Sequence, residues 1–303
     1  MKIVDLFCGA GGMSLGFSNA GFDVVHGFDN WDHAVNTVAA NAGHPVDLLD
    51  LSDVDATRAA LDPLFAGGPV VRPGMIGGPP CQDFSSAGKR VEADRADLTQ
   101  KFAGYVSTLQ PSFVVMENVV RAQHAAVYQS ALTTMRDAGY ALDTIVINAA
   151  VVGVPQARKR LFAIGTRDEP DTAAVMDRLR AGLAEKPMTM RDYFGDSLGT
   201  EHYYRHPRSY ARRGVFSIDE PSPTIRGVNR PIPPGYPGHP GDSAPIDQAR
   251  PLTTAERAAV QTFPADYEFC GPATAREQMI GNAVPPRLAE YVAAAVADVL
   301  DGE

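Results

Sequence analysis

Short apolar runs that favour β-strands alternate with helix-compatible stretches along the first 170 residues of this 303-residue chain. This alternation predicts an α/β fold with a mostly parallel, doubly wound sheet that helices cover on both faces. Ligands bind such sheets beyond the carboxyl ends of the strands, so the loops at those ends are where we expect a site. The predicted strands are Ile3–Phe7, Val24–Phe28, Met75–Gly77, Phe113–Met116, Ala141–Asn148 and Leu161–Ile164; the helix-compatible stretches include Ala34–Asn41, Ala56–Leu64 and Ala122–Ala138.

Hydropathy and cysteine usage exclude several classes of protein. No run of about 18 uncharged apolar residues occurs, which excludes a membrane span. Asp5 stands where a signal peptide needs its apolar core. The three cysteines (Cys8, Cys81 and Cys270) fit neither a disulfide framework nor a metal knuckle. We therefore expect a cytoplasmic protein with reduced thiols and without a metal site.

The character of the chain changes after about residue 185. Residues 187–251 are rich in Pro, Gly, Arg and Tyr, and little regular structure is predicted there. Helix-compatible segments follow at Thr253–Thr262 and Pro286–Leu300. The net charge of the protein is −9, yet residues 201–230 hold six arginines against three acidic residues. Such a basic patch can bind phosphate even in an acidic protein, although a solvated basic loop is the alternative.

The first predicted strand leads into a glycine-rich loop that suggests a nucleoside cofactor. Gly9 and Gly11 let backbone approach a ligand, but Ser14 occupies the third glycine position of the dinucleotide fingerprint. Asp29, at the end of the second strand, is placed to bind a ribose diol. The pattern favours a cofactor without a pyrophosphate, such as S-adenosylmethionine, over a nicotinamide dinucleotide. A tight turn with an exposed acid is the structural alternative.

Two further loops carry groups suited to catalysis. Pro79 and Pro80 stiffen the chain just before Cys81. Cys81 is a candidate nucleophile if its thiolate is stabilised. The alternative is that Cys81 only fills space in the core, as many free cysteines do. Glu117 lies at the end of the strand that begins at Phe113, so we predict that Glu117 and Cys81 lie at the same edge of the sheet. If Arg160 begins a strand, period-two alternation predicts that Arg158 lies on the same side, so that the pair could bind a carboxylate or phosphate.

These motifs together resemble the C5-cytosine DNA methyltransferase family. The resemblance runs in the family's order from residue 5 to 286, nearly the whole chain. Its blocks are Asp-Leu-Phe-Cys-Gly-x-Gly-Gly, Pro-Pro-Cys-Gln, Glu-Asn-Val, Gln-x-Arg-x-Arg, Arg-Pro-Leu-Thr-x-x-Glu from Arg250, Gln-x-Phe-Pro from Gln261 and Gly-Asn-Ala-Val-Pro-Pro from Gly281.

The resemblance implies a Rossmann-like, S-adenosylmethionine-dependent methyltransferase fold with a smaller target-recognition domain. It places the catalytic and cofactor-binding domain at residues 1–185, completed by residues 275–303, and target recognition at residues 186–274. Cofactor-binding positions would be Phe7, Gly9, Gly11, Asp29, Asp50, Leu98, Asn282 and Val284. Asp47 is the alternative to Asp50, and stacking of Trp31 on the adenine is left open.

Catalytic roles follow from the same resemblance. Cys81 would attack carbon 6 of cytosine, Glu117 would hold or protonate ring nitrogen 3, Arg160 would hold the carbonyl side of the base and Arg158 would order the site. Residues 82–99 resemble a mobile loop that closes over the flipped base. Candidate DNA contacts are Ser85, Lys89 and Arg95 in that loop, and Arg205, Arg208, Arg212, Arg213, Thr224, Arg226 and Arg230 in the target-recognition region.

The expected partner is double-stranded DNA, methylated by a monomeric bacterial enzyme that is nucleoid-associated when bound. A restriction–modification system with a separately encoded endonuclease, or a solitary methylase, fits the short recognition region. Three alternatives are a transfer-RNA methyltransferase of the same family, a catalytically inactive DNA-binding protein on this scaffold and a nicotinamide-dependent dehydrogenase. The intact Cys81, Glu117 and Arg160 argue against the second of these, and the missing third glycine argues against the third.

Overall fold

The computed structural model describes residues 1–66, 72–80 and 89–300, with the helical backbone alone described for residues 89–97. Its strands are β1 (Lys2–Leu6), β2 (Asp23–Asp29), β3 (Val46–Leu48), β4 (Gly74–Gly77), β5 (Val114–Val119), β6 (Ala141–Asn148), β7 (Gln156–Ala157), β8 (Lys159–Thr166), β9 (His202–Tyr204), β10 (Val215–Ser217), β11 (Ser222–Pro223) and β12 (Arg250–Pro251). Its α-helices are α1 (Gly12–Asn19), α2 (Asp32–Asn41), α3 (Val54–Leu61), α4 (Lys89–Leu109), α5 (Ala126–Asp137), α6 (Glu169–Ala181), α7 (Met190–Phe194), α8 (Thr254–Val260), α9 (Ala273–Asn282) and α10 (Pro286–Leu300).

A seven-stranded sheet with the order β3-β2-β1-β4-β5-β8-β6 forms the centre of the first part of the chain. β1 pairs in parallel with both β2 and β4, β2 with β3, and β4 with β5, whereas β8 runs antiparallel to β5. All four residues of β4 are buried, as are the last four of β1, which is the pattern of strands covered on both faces. The predicted α/β fold with a mostly parallel sheet is confirmed.

The chain divides into two compact units. The first unit comprises residues 1–147, 159–182 and 289–303 and contains this sheet. The second unit comprises residues 148–158 and 183–288 and contains a three-stranded sheet, β10-β9-β12, and the short pair β11-β7. These units are defined by packing, and their boundaries differ from those of the predicted catalytic and target-recognition domains. The assignment of the two functions to those domains stays a prediction.

The predicted strands of the central sheet are all present, but several elements were not predicted. Residues 89–99, expected within a mobile loop, are helical as part of α4, because the segment is rich in strong helix formers such as Lys, Arg, Glu and Ala. Residues 187–251 contain α7, β9, β10 and β11, more regular structure than their composition suggests. No helix within the described ranges is long and apolar enough to cross a membrane.

Close backbone packing between β1 and β4 requires glycine at position 77. A methyl group on Gly77 would lie 2.4 Å from the carbonyl oxygen of Leu6 and 2.9 Å from the ring of Phe102. Leu6 and Phe102 both belong to the buried core of the first unit. The carbonyl oxygen cannot yield unless β1 moves, so this position allows no side chain.

We therefore predict that Gly77→Ala lowers the free energy of unfolding by roughly 1–3 kcal/mol, as measured by urea denaturation. The matched control is Gly104→Ala within α4, where an added methyl group meets no atom of the described residues within 4 Å. Replacement of a helical glycine should raise the free energy of unfolding by about 0.5–1 kcal/mol. Equal effects of the two substitutions would contradict the packing described for β1 and β4.

Candidate active site

The loop after β1 has backbone angles that favour glycine. Gly9 has φ 53° and Gly11 φ 78°, and Phe7 also has a positive φ, of 60°, which is uncommon for a residue with a side chain. Such outliers concentrate at ligand sites, where the surrounding structure holds them in place. A side chain added at Gly9 would meet no atom of the described residues within 4 Å, so the space beside this loop is open.

Asp29, at the end of β2, holds this loop in place. Its Oδ2 accepts a hydrogen bond from the backbone N–H of Gly9 at 2.8 Å, and its Oδ1 accepts one from Trp31 N–H at 2.9 Å. Burial raises the pKa of Asp29, while these backbone N–H groups partly oppose the rise. The predicted ribose-binding acid therefore lies against the glycine loop, half-buried at the carboxyl edge of the sheet.

Asp5, within β1, is a buried acid whose importance the sequence analysis missed. Its side chain is fully buried, Oδ2 accepts a hydrogen bond from Ser14 Oγ at 2.6 Å, and Oδ1 has no hydrogen-bond partner among the described residues. Burial raises the pKa of Asp5 to about 7, with a smaller contribution from Asp29. The sequence feature that could have identified Asp5 is its position among the apolar residues Ile3, Val4 and Leu6. Ser14, the residue that breaks the dinucleotide fingerprint, is the partner of this acid.

Cys8 is not a suitable nucleophile. Burial raises the pKa of its thiol well above the ordinary value, and the nearby carboxylates of Asp5 and Asp29 raise it further. A thiol in such surroundings stays protonated and unreactive. The nucleophile expected from the sequence is Cys81, which lies outside the described residues.

The cofactor-binding acid expected near β3 has two candidates with different surroundings, Asp47 within the strand and Asp50 after it. Asp47 Oδ2 lies 2.9 Å from Nε2 of His26, which engages this carboxylate. Asp50 is exposed and accepts a hydrogen bond from the backbone N–H of Ser52 at 2.9 Å, which is the largest cause of the lowered pKa of Asp50. Leu98, another predicted cofactor position, is buried. The pairing of Asp47 favours Asp50 as the residue available to a ligand.

At the end of β5, Glu117 and Asn118 lie beside the start of the Cys81 loop. Asn118 Nδ2 donates a hydrogen bond to the carbonyl oxygen of Pro79 at 3.1 Å, and both residues are buried. Arg160, at the start of β8, places Nε 2.7 Å from Glu117 Oε1. A side chain at Gly78 would approach Glu117 Oε2 to 3.1 Å. The structure thus brings Glu117 and Arg160 together next to Gly78, at the start of the loop that leads to Cys81.

Arg158 does not present its guanidinium to a ligand in the way that period-two alternation suggested. It is fully buried in the second unit, where its guanidinium donates to the carbonyl oxygens of Ile225 at 3.1 Å and Gly281 at 3.0 Å. The expectation that Arg158 presents an anion-binding group is wrong, because backbone carbonyls enclose it. Its role in ordering the site stays a prediction.

Buried glutamines connect the remaining sequence motifs within the second unit. Gln156 Nε2 donates to Gln261 Oε1 at 2.7 Å, and Gln156 Oε1 accepts from the backbone N–H of Ile225 at 2.8 Å. Gln261 donates in turn to the carbonyl oxygen of Ile280. Thr224 Oγ1 donates to the carbonyl oxygen of Ala157 at 3.1 Å. Motifs far apart in sequence therefore hold the segment around Thr224 in a fixed position.

The arginines of residues 201–230 fall into different environments. Arg213 pairs with Glu220 at 2.8 Å and stacks 4.3 Å above the ring of Phe216, so its guanidinium is already engaged. Arg205 and Arg226 are half-buried. Their DNA contacts, like those of the other candidates, stay predictions. Ser85 and the side chains of Lys89 and Arg95 lie outside the described residues, whereas Arg208, Arg212 and Arg230 are exposed.

The buried acid yields a prediction about stability and pH. Native Asp5 keeps its proton up to about pH 7, whereas the same carboxyl in the unfolded chain ionises near pH 4. Stability therefore falls as the pH rises between these values, since the native state binds the extra proton. Asp5→Asn should remove this loss, so its advantage over wild type in urea denaturation should grow by roughly 2 kcal/mol from pH 5 to pH 8.

Ser14→Ala is the companion variant. The Ser14 hydrogen bond lowers the pKa of Asp5, so its removal should extend the pH range over which stability is lost to higher pH. An Asp5→Asn advantage of the same size at pH 5 and pH 8 would contradict the raised pKa.

Comparisons with known proteins identify the family. Residues 1–298 match the family described as C-5 cytosine-specific DNA methylase. The chain is similar to the type II methyltransferase M.HgiDI of Herpetosiphon aurantiacus, with 52% identity over 294 residues that cover 97% of this chain and 93% of the relative. It is 48% identical over 299 residues to the type II methyltransferase M.HindV of Haemophilus influenzae, covering 98% and 96% of the two chains.

A solved structure shows the same fold. It is described as a DNA modification methyltransferase encoded within a prophage of E. coli; it has a TM-score of 0.72 and 23% identity, and 99% of each chain is covered. The resemblance inferred from the sequence motifs is confirmed, and the chain belongs to the C-5 cytosine-specific DNA methylase family.

Proposed function

We propose that this protein transfers a methyl group from S-adenosylmethionine to carbon 5 of a cytosine within a short, specific sequence of double-stranded DNA. The observation that carries the proposal is the pairing of Glu117 with Arg160 beside Gly78, while the neighbouring Asn118 binds the carbonyl oxygen of Pro79, two residues before Cys81. Family membership supports the reaction, and this arrangement supplies the residue types that the reaction needs. DNA rather than transfer RNA is the substrate that the family description favours.

The loop after β1 fits a nucleoside cofactor. Asp29 offers carboxylate oxygens for a ribose diol beside an open space over Gly9, and Phe7 and Gly11 hold the loop in backbone conformations suited to close approach. S-adenosylmethionine, when bound, supplies an electrophilic methyl group on a sulfonium. The further proposed cofactor positions are Asp50, Leu98, Asn282 and Val284.

The chemistry explains why a thiolate and an acid are both required. Carbon 5 of cytosine is a weak nucleophile, and addition of the Cys81 thiolate to carbon 6 converts the ring to an enamine. The electron pair displaced from the carbon 5–carbon 6 double bond moves into the ring, where Glu117 holds or protonates nitrogen 3. Carbon 5 would then form its bond to the methyl group while the bond between that methyl group and the sulfonium sulfur breaks, with S-adenosylhomocysteine as the leaving group. Loss of the carbon 5 proton and breakage of the carbon–sulfur bond restore the aromatic ring and release Cys81.

Arg160 has two proposed roles in this site. Its contact with Glu117 at 2.7 Å fixes the carboxyl group relative to the base, and its remaining N–H groups would hold the carbonyl side of the cytosine. Catalysis by positioned groups is sensitive to small displacements, so the orientation of Glu117 matters as much as its presence. Asn118 contributes by fixing the backbone at Pro79.

The target base has to leave the duplex before Cys81 can reach carbon 6, because that carbon is stacked between neighbouring base pairs. The arginines of residues 201–230 would bind the DNA, with Thr224 held beside them by the buried glutamines. We further propose that the protein is a monomeric methylase of a restriction–modification system whose endonuclease is encoded separately. The relatives named type II methyltransferases support this assignment.

The test combines labelled S-adenosylmethionine with unmethylated plasmid and transfer RNA, followed by nucleoside analysis of each. Wild-type protein should place label in 5-methyldeoxycytidine, and Cys81→Ser should lower the rate by at least about a thousandfold. Glu117→Gln should lower kcat by roughly a hundredfold or more, since it removes a group that transfers a proton.

Both variants should bind S-adenosylhomocysteine as wild type does, which calorimetry measures and which excludes misfolding. Label found only in 5-methylcytidine of the RNA would overturn the DNA substrate. A Cys81→Ser variant with wild-type activity would overturn the covalent mechanism.

A further inference from the structure

A recess in the second unit is lined by four arginines: Arg205, Arg226, Arg230 and Arg257. No aspartate or glutamate lines it among the described residues. The positive charge of Arg257 is neutralised by an ion pair with Glu277, which does not line the recess. The positive charge of the other three arginines has no acidic counterpart within the recess.

The two half-buried guanidiniums are held by neutral groups. Arg205 Nη2 donates to the carbonyl oxygen of Thr224 at 3.0 Å, and Arg226 Nη2 donates to the carbonyl oxygen of His206. Carbonyl oxygens orient these side chains without neutralising them. Burial lowers the pKa of Arg205 to about 10, with Arg226 adding to the effect. Burial also lowers the pKa of Arg226, with further contributions from Arg208 and Arg230. Charge is therefore concentrated here at an energetic cost that an anion would relieve.

The backbone of Arg226 is fixed as firmly as its side chain. Arg257 donates to the carbonyl oxygen of Arg226. On the other side, a Cβ at Gly281 would lie 2.2 Å from the carbonyl carbon of Arg226 and 2.1 Å from the nitrogen of Gly227. Such contacts leave Arg226 preorganised, which lowers the entropy lost when a ligand binds.

The acids of the neighbouring segment are engaged with other arginines. Glu220 pairs with Arg213, whereas Glu201 and Asp219 pair with Arg191. Acidic residues therefore pair with arginines outside the recess, whereas none of the described acidic residues lines the recess itself. Uncompensated, oriented guanidiniums are the usual protein site for a phosphate.

We propose that Arg205, Arg226 and Arg230 form a socket for one phosphate group of the DNA backbone. The inference rests on the proposed function, which makes DNA the substrate. Several guanidiniums that line one recess suit a compact anion that inserts between them, whereas a base edge is usually read by a side chain that projects into a groove. The socket therefore positions the duplex and does not read its sequence.

The test measures the affinity of the protein for two fluorescent duplexes over a series of KCl concentrations. One duplex contains the methylated sequence, located by bisulfite sequencing of treated plasmid, and the other contains the same bases scrambled. Arg226→Gln should weaken binding to both duplexes by a similar factor, roughly fivefold to twentyfold, since a phosphate contact is independent of sequence. Arg180→Gln, in the first unit, is the control that removes the same charge from a surface pair with Asp143; it should leave both affinities unchanged.

The double variant Arg226→Gln/Arg230→Gln tests whether the arginines share one phosphate. The slope of log affinity against log salt counts neutralised phosphates, so it should decrease in magnitude by about one and not by two. A decrease of about two would show separate phosphates and overturn the socket. Weakening confined to the specific duplex, at an unchanged slope, would instead show base recognition by Arg226, and wild-type affinities in the variants would also overturn the proposal.

Failure of the proposed function would be distinguishable from failure of the socket. Wild-type protein that forms no 5-methyldeoxycytidine contradicts the function, whatever the slopes are. Wild-type methylation combined with an unchanged slope in the double variant contradicts only the socket. Circular dichroism and thermal unfolding of each variant establish that the compared proteins are folded.

Discussion

The parallel pairing of β1 with both β2 and β4 determines where chemistry can occur in this protein. Strands that run in one direction end at one edge, so Phe7, Asp29, Gly78 and Glu117 all follow or end strands at the same side of the sheet. The strand order reverses between β1 and β4, and such switch points leave a crevice between loops that diverge. Gly77 permits the close approach of β1 and β4 at this position. The glycine-rich loop after β1 and the start of the Cys81 loop are consequently neighbours in the first unit.

A second constraint acts within the second unit, where buried polar side chains from several sequence motifs fix the backbone of the segment around Ile225. Gln156, Gln261 and Arg158 place buried donors against the backbone around Ile225 and after α9. Buried polar networks that are satisfied in this way specify one arrangement, because breaking any member leaves a group without its partner. The recess that contains Arg226 depends on this network for its shape. Residues distant in sequence thereby support the surface that we propose binds DNA.

The sequence predicted best those residues whose position follows from strand direction. Asp29 and Glu117 were placed by the ends of β2 and β5; in the structure Asp29 binds the backbone of Gly9 and Glu117 lies against Gly78. Arg158 was misjudged because period-two alternation holds only within a strand, and β8 begins one residue later at Lys159. The arginine-rich recess could not be predicted, since it depends on which arginines find acids in three dimensions. The sequence does not show which of the six arginines of residues 201–230 have acidic partners. In the fold, Arg213 pairs with Glu220, whereas Arg226 donates only to a carbonyl oxygen among the bonds described above.

The proposed reaction requires Cys81 to bond to carbon 6 of a cytosine in DNA, and a substrate analogue tests this bond directly. In a duplex whose target cytosine carries fluorine at carbon 5, methyl transfer can proceed, but no proton remains at that carbon to be removed, so the carbon–sulfur bond cannot break. Mass spectrometry of wild-type protein incubated with this duplex and S-adenosylmethionine should show a stable adduct equal to the sum of protein, DNA and one methyl group. The adduct should map to Cys81 and be absent from Cys81→Ser. Wild-type protein that methylates ordinary DNA yet forms no adduct with the fluorinated duplex would contradict the covalent mechanism.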